Sequence, residues 1–211
     1  CPECGSALER QEGEAVHYCP NREGCPPQIK GRIEHFIQRN AMDINTLGEK
    51  TIDALYDKGL VRSIPDIYDL TMDQVMQLEG FREQSSKNLL EGIEASGKAP
   101  FENVLFGLGI RYVGRTVAEK LARHFGDIDT LAKAGYEELL EVPEIGERIA
   151  TSLREFFGDE KNINMIKRLR EAGLQMKVSE EDQAAGSALE GRVLVVSGVF
   201  EHFEREELKS L

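Results

Sequence analysis

The residues best suited to chemistry in this sequence are four cysteines near its beginning, Cys1, Cys4, Cys19 and Cys25. Their C-x2-C-x14-C-x5-C spacing is typical of two short turns that bring four thiolates to one tetrahedral ion. The segment is too short and too polar to bury a core of its own, so a metal would supply its folding free energy. Because four thiolates leave no open coordination position, we predict a structural zinc site rather than a catalytic one.

Two other arrangements of these residues stay open at the level of the sequence. The four thiols could pair as two disulfides, or His17 could replace one cysteine as a metal ligand. The sequence places no chemical partner near His35, so we expect that imidazole to lie on a solvated helix face.

A nine-residue pattern that could hold a phosphate recurs four times after the cysteines. The four copies begin at residues 44, 78, 110 and 142, and the clearest is IRYVGRTVA at 110–118. In each copy, a stretch with helical spacing leads through a short turn into the start of a second helix. The starts are 34, 32 and 32 residues apart. A nearly constant spacing in this range is typical of a repeat architecture.

The turn inside each copy is where binding would take place. We expect a glycine where the backbone turns sharply, and amides beside a helix N-terminus attract anions. A helix, a tight glycine hairpin and a second helix that together grip a phosphate form the helix-hairpin-helix element of DNA-binding proteins. Tetratricopeptide and other helical repeats of similar period are the alternative, but the aromatic pattern of the tetratricopeptide repeat is absent from this sequence.

The four hairpins supply a set of candidate DNA contacts. We predict that amides around Gly114 and Gly146 donate to phosphates and that the Arg115, Thr116 and Arg148 side chains add contacts. The hairpin glycines Gly48 and Gly80 are also candidates, and Lys50 and Lys87 are weaker ones. The two lysines could equally lie on solvated helix faces. Arg82 replaces the second glycine of copy two and Tyr112 the first glycine of copy three, so we expect some copies to be structural.

Charge and composition limit the classes of function. The 211 residues are 40% hydrophobic, enough for a core, and contain no apolar run long enough to span a membrane. A formal net charge of −12 argues against a DNA binder that relies on Lys and Arg alone. Residues 28–178 hold 21 Lys/Arg and 25 Asp/Glu, a net charge of only −4. A protein that binds phosphate through backbone amides needs fewer cations than one that relies on Lys and Arg side chains, so this charge balance does not exclude DNA binding.

The order of the segments predicts the fold class and the domains. We expect a Cys4 zinc finger at 1–27 and a mainly α domain at 28–178, in which four helix-hairpin-helix copies pack as two pairs. An acidic linker at 179–189 and the truncated start of an α/β domain at 190–211 would follow. We predict helices at 28–38, 48–58, 71–78, 85–96, 101–109, 115–125, 130–141, 147–157 and 162–172. Because the sequence begins at Cys1 rather than Met, we expect a fragment of a longer protein.

This order of parts resembles the C-terminal half of bacterial NAD-dependent DNA ligases along the whole chain. The resemblance assigns the four cysteines to zinc and the hairpin glycines to Gly48, Gly80, Gly114 and Gly146. It also makes GRVLVVSG, from Gly191, similar to the start of the BRCT domain of that family. It implies a part that clamps nicked double-stranded DNA during replication and repair, while an adenylation domain seals the nick.

Cofactors, partners and location are likewise implied by the resemblance. Structural zinc would belong to this chain, whereas NAD and magnesium would act in the parent enzyme. The expected partners are nicked DNA and the N-terminal adenylation and OB-fold domains of the same parent chain, in the bacterial cytoplasm and associated with the nucleoid.

The resemblance implies that this chain contains no catalytic residue. The family takes AMP from NAD on a lysine within Lys-x-Asp-Gly, and no lysine of this sequence is followed by x-Asp-Gly. We therefore expect the chain alone to be inactive. Two functions of other classes remain open: a non-enzymatic DNA-junction or repair scaffold built on helix-hairpin-helix pairs, and a zinc-bearing helical adaptor that binds proteins.

Overall fold

The computed structural model describes residues 1–10, 13 and 15–179. These residues are mainly α-helical, and Cys1–Val178 form one compact unit. None of the described helices combines the length and apolar composition that a membrane crossing requires. The predicted start of an α/β domain at 190–211, and the predicted linker beyond Ser179, lie outside the described residues.

Helices follow the cysteine-bearing segment almost without interruption. In chain order they are α1 Pro26–Ile37, α2 Glu49–Asp57, a 3-10 helix Ile64–Ile67, α3 Met72–Met76, α4 Glu83–Ser96, α5 Phe101–Gly107, α6 Arg115–Phe125, α7 Ile128–Lys133, α8 Tyr136–Leu140, α9 Glu147–Gly158 and α10 Glu160–Glu171. The four hairpins connect α1 to α2, α3 to α4, α5 to α6 and α8 to α9. The mainly α fold class with helix-hairpin-helix repeats is thus confirmed.

One predicted helix is wrong, because 130–141 is two helices rather than one. Asp127 caps α7 by accepting a hydrogen bond from the Thr130 N–H at 2.8 Å, so this helix begins earlier than the apolar spacing suggests. Gly135 then adopts an extended conformation, with φ −71° and ψ 164°, and begins α8. The first helix of copy four is therefore only five residues long.

Contacts join copies that are neighbours in the sequence and also join copy one to copy three. A Cβ built on Gly92 of α4 would lie 3.0 Å from Oγ1 of Thr46 in hairpin one, so copies one and two approach closely. Helix α7 packs against both α6 and α9 and so links copies three and four. A Cβ on Gly107 of α5 would lie 3.1 Å from the ring of Phe36 on α1, so copy three also packs tightly against copy one.

His35 belongs to this last interface, which makes the predicted solvated position wrong. Its ring is half-buried, with Nε2 2.9 Å from the Phe106 carbonyl oxygen and its edge against the Phe106 ring. Nδ1 lies 2.8 Å from Nε2 of Gln38. His35 therefore joins α1 to α5.

Arg168 of α10 ties the end of the helical domain back to its first half. Its Nη2 lies 2.9 Å from Oδ1 of Asp66 in the 3-10 helix and also contacts Asp69. Asp66 Oδ2 accepts the N–H groups of Arg62 and Ser63 at 2.8 and 2.7 Å. Burial alone would raise the pKa of Asp66, but the backbone N–H of Arg62 and the Arg168 guanidinium outweigh it and lower that pKa below its usual value.

Candidate zinc site and nucleic-acid interface

The four cysteine sulfurs converge on one point, with all Sγ atoms within 4.8 Å of one another. Cys4 and Cys19 are 3.5 Å apart and Cys1 and Cys25 are 3.8 Å apart, and all four are thiols rather than disulfides. An ion about 2.3 Å from four sulfurs at tetrahedral corners would separate them by about 3.8 Å. The cluster therefore fits zinc, and the group of potential ligands found among the described residues does not include His17.

Two tight turns present these sulfurs. In the first, the Gly5 N–H donates to the Cys1 carbonyl at 2.9 Å, and Gly5 has a φ of 72° that suits glycine. In the second, the Cys25 N–H donates to the Asn21 carbonyl at 3.1 Å. Cys25 then serves as the N-cap of α1, so the metal site is continuous with the helical domain.

The loop between the turns is held by backbone pairing. Glu9 and Tyr18 form an antiparallel bridge, with N–H···O distances of 2.8 and 2.7 Å. Gln28 of α1 donates through Nε2 to the Cys19 carbonyl at 2.9 Å. These contacts hold in place both Cys19, the third cysteine of the cluster, and Tyr18, which precedes it.

The thiols differ in acidity. A hydrogen bond with the Ser6 side chain is the main cause that lowers the pKa of Cys4 to about 6. Burial raises the pKa of Cys25. Zinc binds thiolates, so occupation of the site must displace protons, chiefly from the more basic sulfurs.

All four hairpins contain a tight turn that the same hydrogen bond closes. The N–H of the fourth residue donates to the carbonyl of the first at 3.0 to 3.2 Å, in the pairs Leu47–Ile44, Phe81–Leu78, Val113–Ile110 and Ile145–Val142. In copies two, three and four the third residue of the turn has a positive φ, 83° at Gly80, 65° at Tyr112 and 69° at Glu144. In copy one the positive φ belongs instead to Asp43, ahead of the turn.

The glycines two residues further on have a conformation that the sequence did not predict. Gly48, Gly114 and Gly146 have φ values of −88°, −82° and −93°, which any residue can adopt, and they are the N-caps of α2, α6 and α9. The expectation that these glycines make the sharp turn is wrong, because the turn lies two residues earlier. Gly80 is the copy-two counterpart of Tyr112 and Glu144, not of Gly114.

Three other helices of the domain, α3, α7 and α10, begin with a side chain that caps the first turn. The Thr71, Asp127 and Asp159 side chains accept the N–H groups of Gln74, Thr130 and Lys161, at 3.4, 2.8 and 2.9 Å. Such caps satisfy N–H groups that have no acceptor within the helix.

The glycine N-caps of the hairpins, Gly48, Gly114 and Gly146, cannot do the same, since glycine has no side chain. A Cβ built on Gly48, Gly114 or Gly146 would meet no heavy atom of the described residues within 4 Å, so crowding within the chain does not explain the glycines. Their effect is to leave the first-turn amides accessible. An accessible helix N-terminus with unsatisfied N–H groups is a ready anion site.

The predicted side-chain contacts fall into two groups. Lys50, Thr116 and Arg148 are exposed beside the glycine N-caps, and Lys87 is exposed in an i,i+4 pair with a glutamate on α4. Arg115 instead makes contacts within the protein.

The Arg115 guanidinium links copy three to copy one. Its Nε donates to Glu119 at 2.7 Å and its Nη1 donates to the Asn40 carbonyl at 2.7 Å. A phosphate would have to share this side chain with both partners.

Hairpin three differs from the other three in charge. Residues 110–118 contain two arginines and no acid, a net charge of +2, whereas 44–52 have one base and one acid, and 78–86 and 142–150 each have one base and two acids. Glu49, Glu83 and Glu147 lie in the first turns of α2, α4 and α9. A carboxylate there interacts with the same helix terminus that would attract a phosphate. By charge, hairpin three is the best anion site of the four.

Two family models match parts of this architecture. Residues 1–26 match the NAD-dependent DNA ligase C4 zinc finger domain, and residues 103–166 match the helix-hairpin-helix motif. The second match spans copies three and four, from α5 to α10.

Relatives extend the similarity to the whole chain. It is 53% identical over 99% of its length to the DNA ligase of Flavobacterium psychrophilum, and 53% identical over its full length to that of Cytophaga hutchinsonii. Each alignment covers 32% of the relative, so the chain spans about a third of the length of these relatives. Together the matches confirm the predicted resemblance: this chain is similar to NAD-dependent DNA ligases in the part that carries the C4 zinc finger and the helix-hairpin-helix motifs.

Proposed function

We propose that this chain is the DNA-binding part of an NAD-dependent DNA ligase, and that it clamps nicked duplex DNA through backbone phosphates. The observation that carries the proposal is the set of helix N-termini that follow a hairpin turn and have an unobstructed glycine as N-cap, at Gly48, Gly114 and Gly146. Each of the three follows a turn that the same hydrogen bond closes. Gly135, the glycine N-cap of α8, follows no hairpin, and its N–H donates to Glu138 at 3.2 Å. Repetition of one anion-binding geometry suits a ligand that is itself a repeating polyanion.

Contacts of this kind position a duplex without reading its bases. An enzyme that must seal nicks in any sequence requires such binding. The net charge of −12 gives the chain no general attraction for DNA, so affinity would come from local amides and a few cations. Binding should still weaken as salt rises, because each phosphate that is contacted releases counterions.

The hairpins would contribute unequally. The amides after Gly114 and Gly146, with Thr116 and Arg148 beside them, are the proposed principal contacts. Gly48 and Lys50 would contribute less, since the third residue of their turn lacks the positive φ that Tyr112 and Glu144 have in copies three and four.

Hairpin two is the proposed structural copy. The N–H of its N-cap residue, Arg82, already donates to the Ser85 hydroxyl at 2.8 Å. Gly80 supplies its turn, and Lys87 lies further along the helix, where its side chain pairs with Glu91.

The chemistry of ligation would be supplied elsewhere in the parent protein. The four thiolates would hold zinc as a structural ion, and we propose that NAD and magnesium act in an adenylation domain that works with an OB-fold domain of the same parent chain. This chain alone should not seal nicks, since it contains no Lys-x-Asp-Gly. The proposed setting is replication and repair at the nucleoid of the bacterial cytoplasm.

Fluorescence anisotropy with labelled DNA tests the proposal. The ligands are a nicked duplex, the matching intact duplex, a single strand and a four-way junction, each in two unrelated sequences, at salt from about 50 to 200 mM. We expect duplex binding that does not depend on sequence, favours the nick and weakens with salt. Failure to bind duplex at the lowest salt, by protein with one zinc per chain and a helical circular dichroism spectrum, would contradict the proposal.

Two other outcomes would identify the other classes of function. A preference for the four-way junction over the nicked duplex would favour the repair scaffold. Binding of peptides with indifference to every DNA ligand would favour the protein adaptor.

A further inference from the structure

Two side chains of copy three donate hydrogen bonds to the segment that leads into the turn of hairpin one. The Arg115 guanidinium, at the start of α6, donates through Nη1 to the Asn40 carbonyl at 2.7 Å. The Asn103 amide, on α5, donates through Nδ2 to the next carbonyl, that of Ala41, at 2.9 Å. Two helices of copy three therefore hold consecutive carbonyls of copy one.

The Arg115 side chain is oriented by its own helix. Its Nε donates to Oε1 of Glu119, one turn further along α6, at 2.7 Å. Because a guanidinium presents its donors in a rigid plane, the bond from Nε to Glu119 directs Nη1 toward Asn40. A lysine at this position would keep the charge but could not reproduce both bonds in this geometry.

Asn103 makes its bond to copy one at a cost to stability. Its Oδ1 atom is buried and has no hydrogen-bond partner among the described residues. A buried acceptor without a partner is unfavourable, and an apolar side chain would avoid that penalty. The bond from Nδ2 to the Ala41 carbonyl is what an amide provides here and an apolar residue would not.

Hairpin one follows a path that the other hairpins do not share. The third residue of the turn has a positive φ in copies two, three and four, whereas in copy one the positive φ, 51°, belongs to Asp43, one residue ahead of the turn. Asn40 and Ala41 lie just before Asp43. The bonds from copy three therefore act where the backbone of hairpin one departs from that of the others.

The rest of the interface holds the two copies together without these bonds. Helix α1 packs against α5, and a Cβ built on Gly107 would lie 3.1 Å from the Phe36 ring and 3.5 Å from Cβ of Ala41. His35 adds its contact with the Phe106 carbonyl at 2.9 Å. Loss of the Arg115 bond alone should therefore leave the copies packed and release only the entry to hairpin one.

We propose that Arg115 is a positioning residue that, together with Asn103, sets the orientation of hairpin one so that the amides after Gly48 and Gly114 bind one duplex together. This inference rests on the proposed DNA-binding function and adds to it a means by which two hairpins form one binding surface. Contacts held in their binding orientation give higher affinity than mobile ones, because less freedom is lost on binding. Arg115 thus acts on DNA through hairpin one rather than as a phosphate ligand.

A double-variant cycle on affinity for the nicked duplex tests this role. Arg115→Lys keeps the charge but loses the paired bonds, and should weaken binding about two- to fivefold. Gly48→Ser should also weaken binding, because a serine fits at this N-cap and its hydroxyl would occupy first-turn amides of α2. The double variant should bind no more weakly than Gly48→Ser. Asn103→Ala, which changes no charge, should behave like Arg115→Lys in the same cycle.

Two matched comparisons separate this role from general effects. With Gly146→Ser the effect of Arg115→Lys should be fully multiplicative, because the Arg115 bonds do not involve hairpin four. Arg154→Lys removes a similar bond, from Nη1 to the Ala134 carbonyl at 2.9 Å, and its effect should not depend on Gly48→Ser. Multiplicative effects of Arg115→Lys and Gly48→Ser, or wild-type affinity of Arg115→Lys, would overturn the inference.

Amide hydrogen exchange gives a readout that requires no DNA. The N–H groups of Ile44 and Leu47 are hydrogen-bonded within copy one, and the Ile145 N–H is hydrogen-bonded in the turn of hairpin four. Arg115→Lys and Asn103→Ala should speed exchange at Ile44 and Leu47 about two- to fivefold and leave exchange at Ile145 unchanged. The Arg115 side chain is 40% exposed, so Arg115→Lys should fold normally and carries the test if Asn103→Ala proves unstable.

The two readouts distinguish failure of the inference from failure of the proposed function. Unchanged exchange at hairpin one in Arg115→Lys, in a wild-type background that does bind duplex, would overturn the inference alone. Absence of any duplex binding by the wild type would instead reject the proposed function and this inference with it.

Discussion

Lys120 of α6 forms an ion pair with Glu144, the turn residue of hairpin four, with 2.5 Å between Nζ and Oε2. The pair joins the second helix of copy three to the tip of copy four. It also partly neutralises a carboxylate that stands next to a proposed phosphate site. The Glu144 side chain is 69% exposed, so the pair should contribute less than about 1 kcal/mol to stability.

Glu144→Gly should therefore increase duplex affinity without destabilising the fold. The change removes a negative charge from the hairpin and relieves a φ of 69° that glycine adopts easily, which offsets the lost ion pair. Anisotropy and urea titration measure the two effects. Glu155→Gln, an equal change of net charge on the exposed side of α9, is the control and should alter affinity less. Weaker duplex binding by Glu144→Gly would contradict a phosphate site at hairpin four.

Gly114→Ser should move stability and DNA affinity in opposite directions. The N-cap backbone is extended and has room for a side chain, so serine can cap α6 and raise the free energy of unfolding by a few tenths of a kcal/mol. The same hydroxyl would occupy amides that the phosphate needs, and affinity should fall.

Thr71→Ala is the control for Gly114→Ser, because it removes a helix cap whereas Gly114→Ser adds one. It removes a cap from α3, away from the hairpin N-termini, and should cost about 1 kcal/mol of stability while leaving affinity unchanged. Urea denaturation of both variants measures their stability, and anisotropy measures their affinity for duplex DNA. A stable Gly114→Ser protein with wild-type affinity would show that this N-cap does not bind DNA.

Zinc removal should disorder the finger and leave the helical domain largely intact. The buried core extends from Ile29 to Met176, and its packing does not involve the cysteine turns. A metal assay should find one zinc per chain, and chelation should change the far-ultraviolet circular dichroism only slightly. Cys25→Ser is the matched variant for the metal-free state. Substoichiometric zinc in protein prepared without chelator would reject the four-cysteine site.

Asp66→Asn should destabilise the protein in a manner that depends on pH. At pH 7 it should cost about 1 to 3 kcal/mol, because Asp66 accepts two N–H groups and pairs with Arg168. The pKa of Asp66 is lowered in the folded state, so its stabilisation is present above the unfolded-state value of about 3.9 and is lost as pH falls through the folded one.

Urea midpoints at several pH values check this expectation. The difference between wild type and Asp66→Asn should be constant from pH 7 down to about 5 and shrink below about 4. Asp129→Asn, which breaks the more exposed pair with Arg170, should cost less than about 1 kcal/mol. A difference that persists unchanged in acid would assign the effect to packing rather than to charge.

Local patterns in the sequence predicted the features that depend on neighbouring residues. The cysteine spacing predicted the sulfur cluster, and the predicted bounds of α6 match because Gly114 and Gly126 delimit it. The split between α7 and α8 was missed, since a cap at Asp127 and a break at Gly135 leave the apolar spacing nearly unchanged.

Contacts between residues that are far apart in the sequence could not be predicted from such local patterns. Arg115 looks like a phosphate ligand until Asn40, 75 positions away, is placed beside it. The contact of His35 with Phe106, 71 positions away, likewise exists only once α1 and α5 are packed together. The assignment of DNA contacts to particular hairpins, and the domain boundaries, stay predictions.

The contact of Arg115 with the Asn40 carbonyl has a consequence for how these repeats can evolve and unfold. In a solenoid each repeat touches only its neighbours, so units can be added or lost and stability is a sum along the array. Here copy one touches copy three directly, through Arg115, His35 and Gly107. Deletion of copy one would strip partners from both copy two and copy three, and Arg168 of α10 ties the end of the domain back to the 3-10 helix, so the domain should melt in a single cooperative transition.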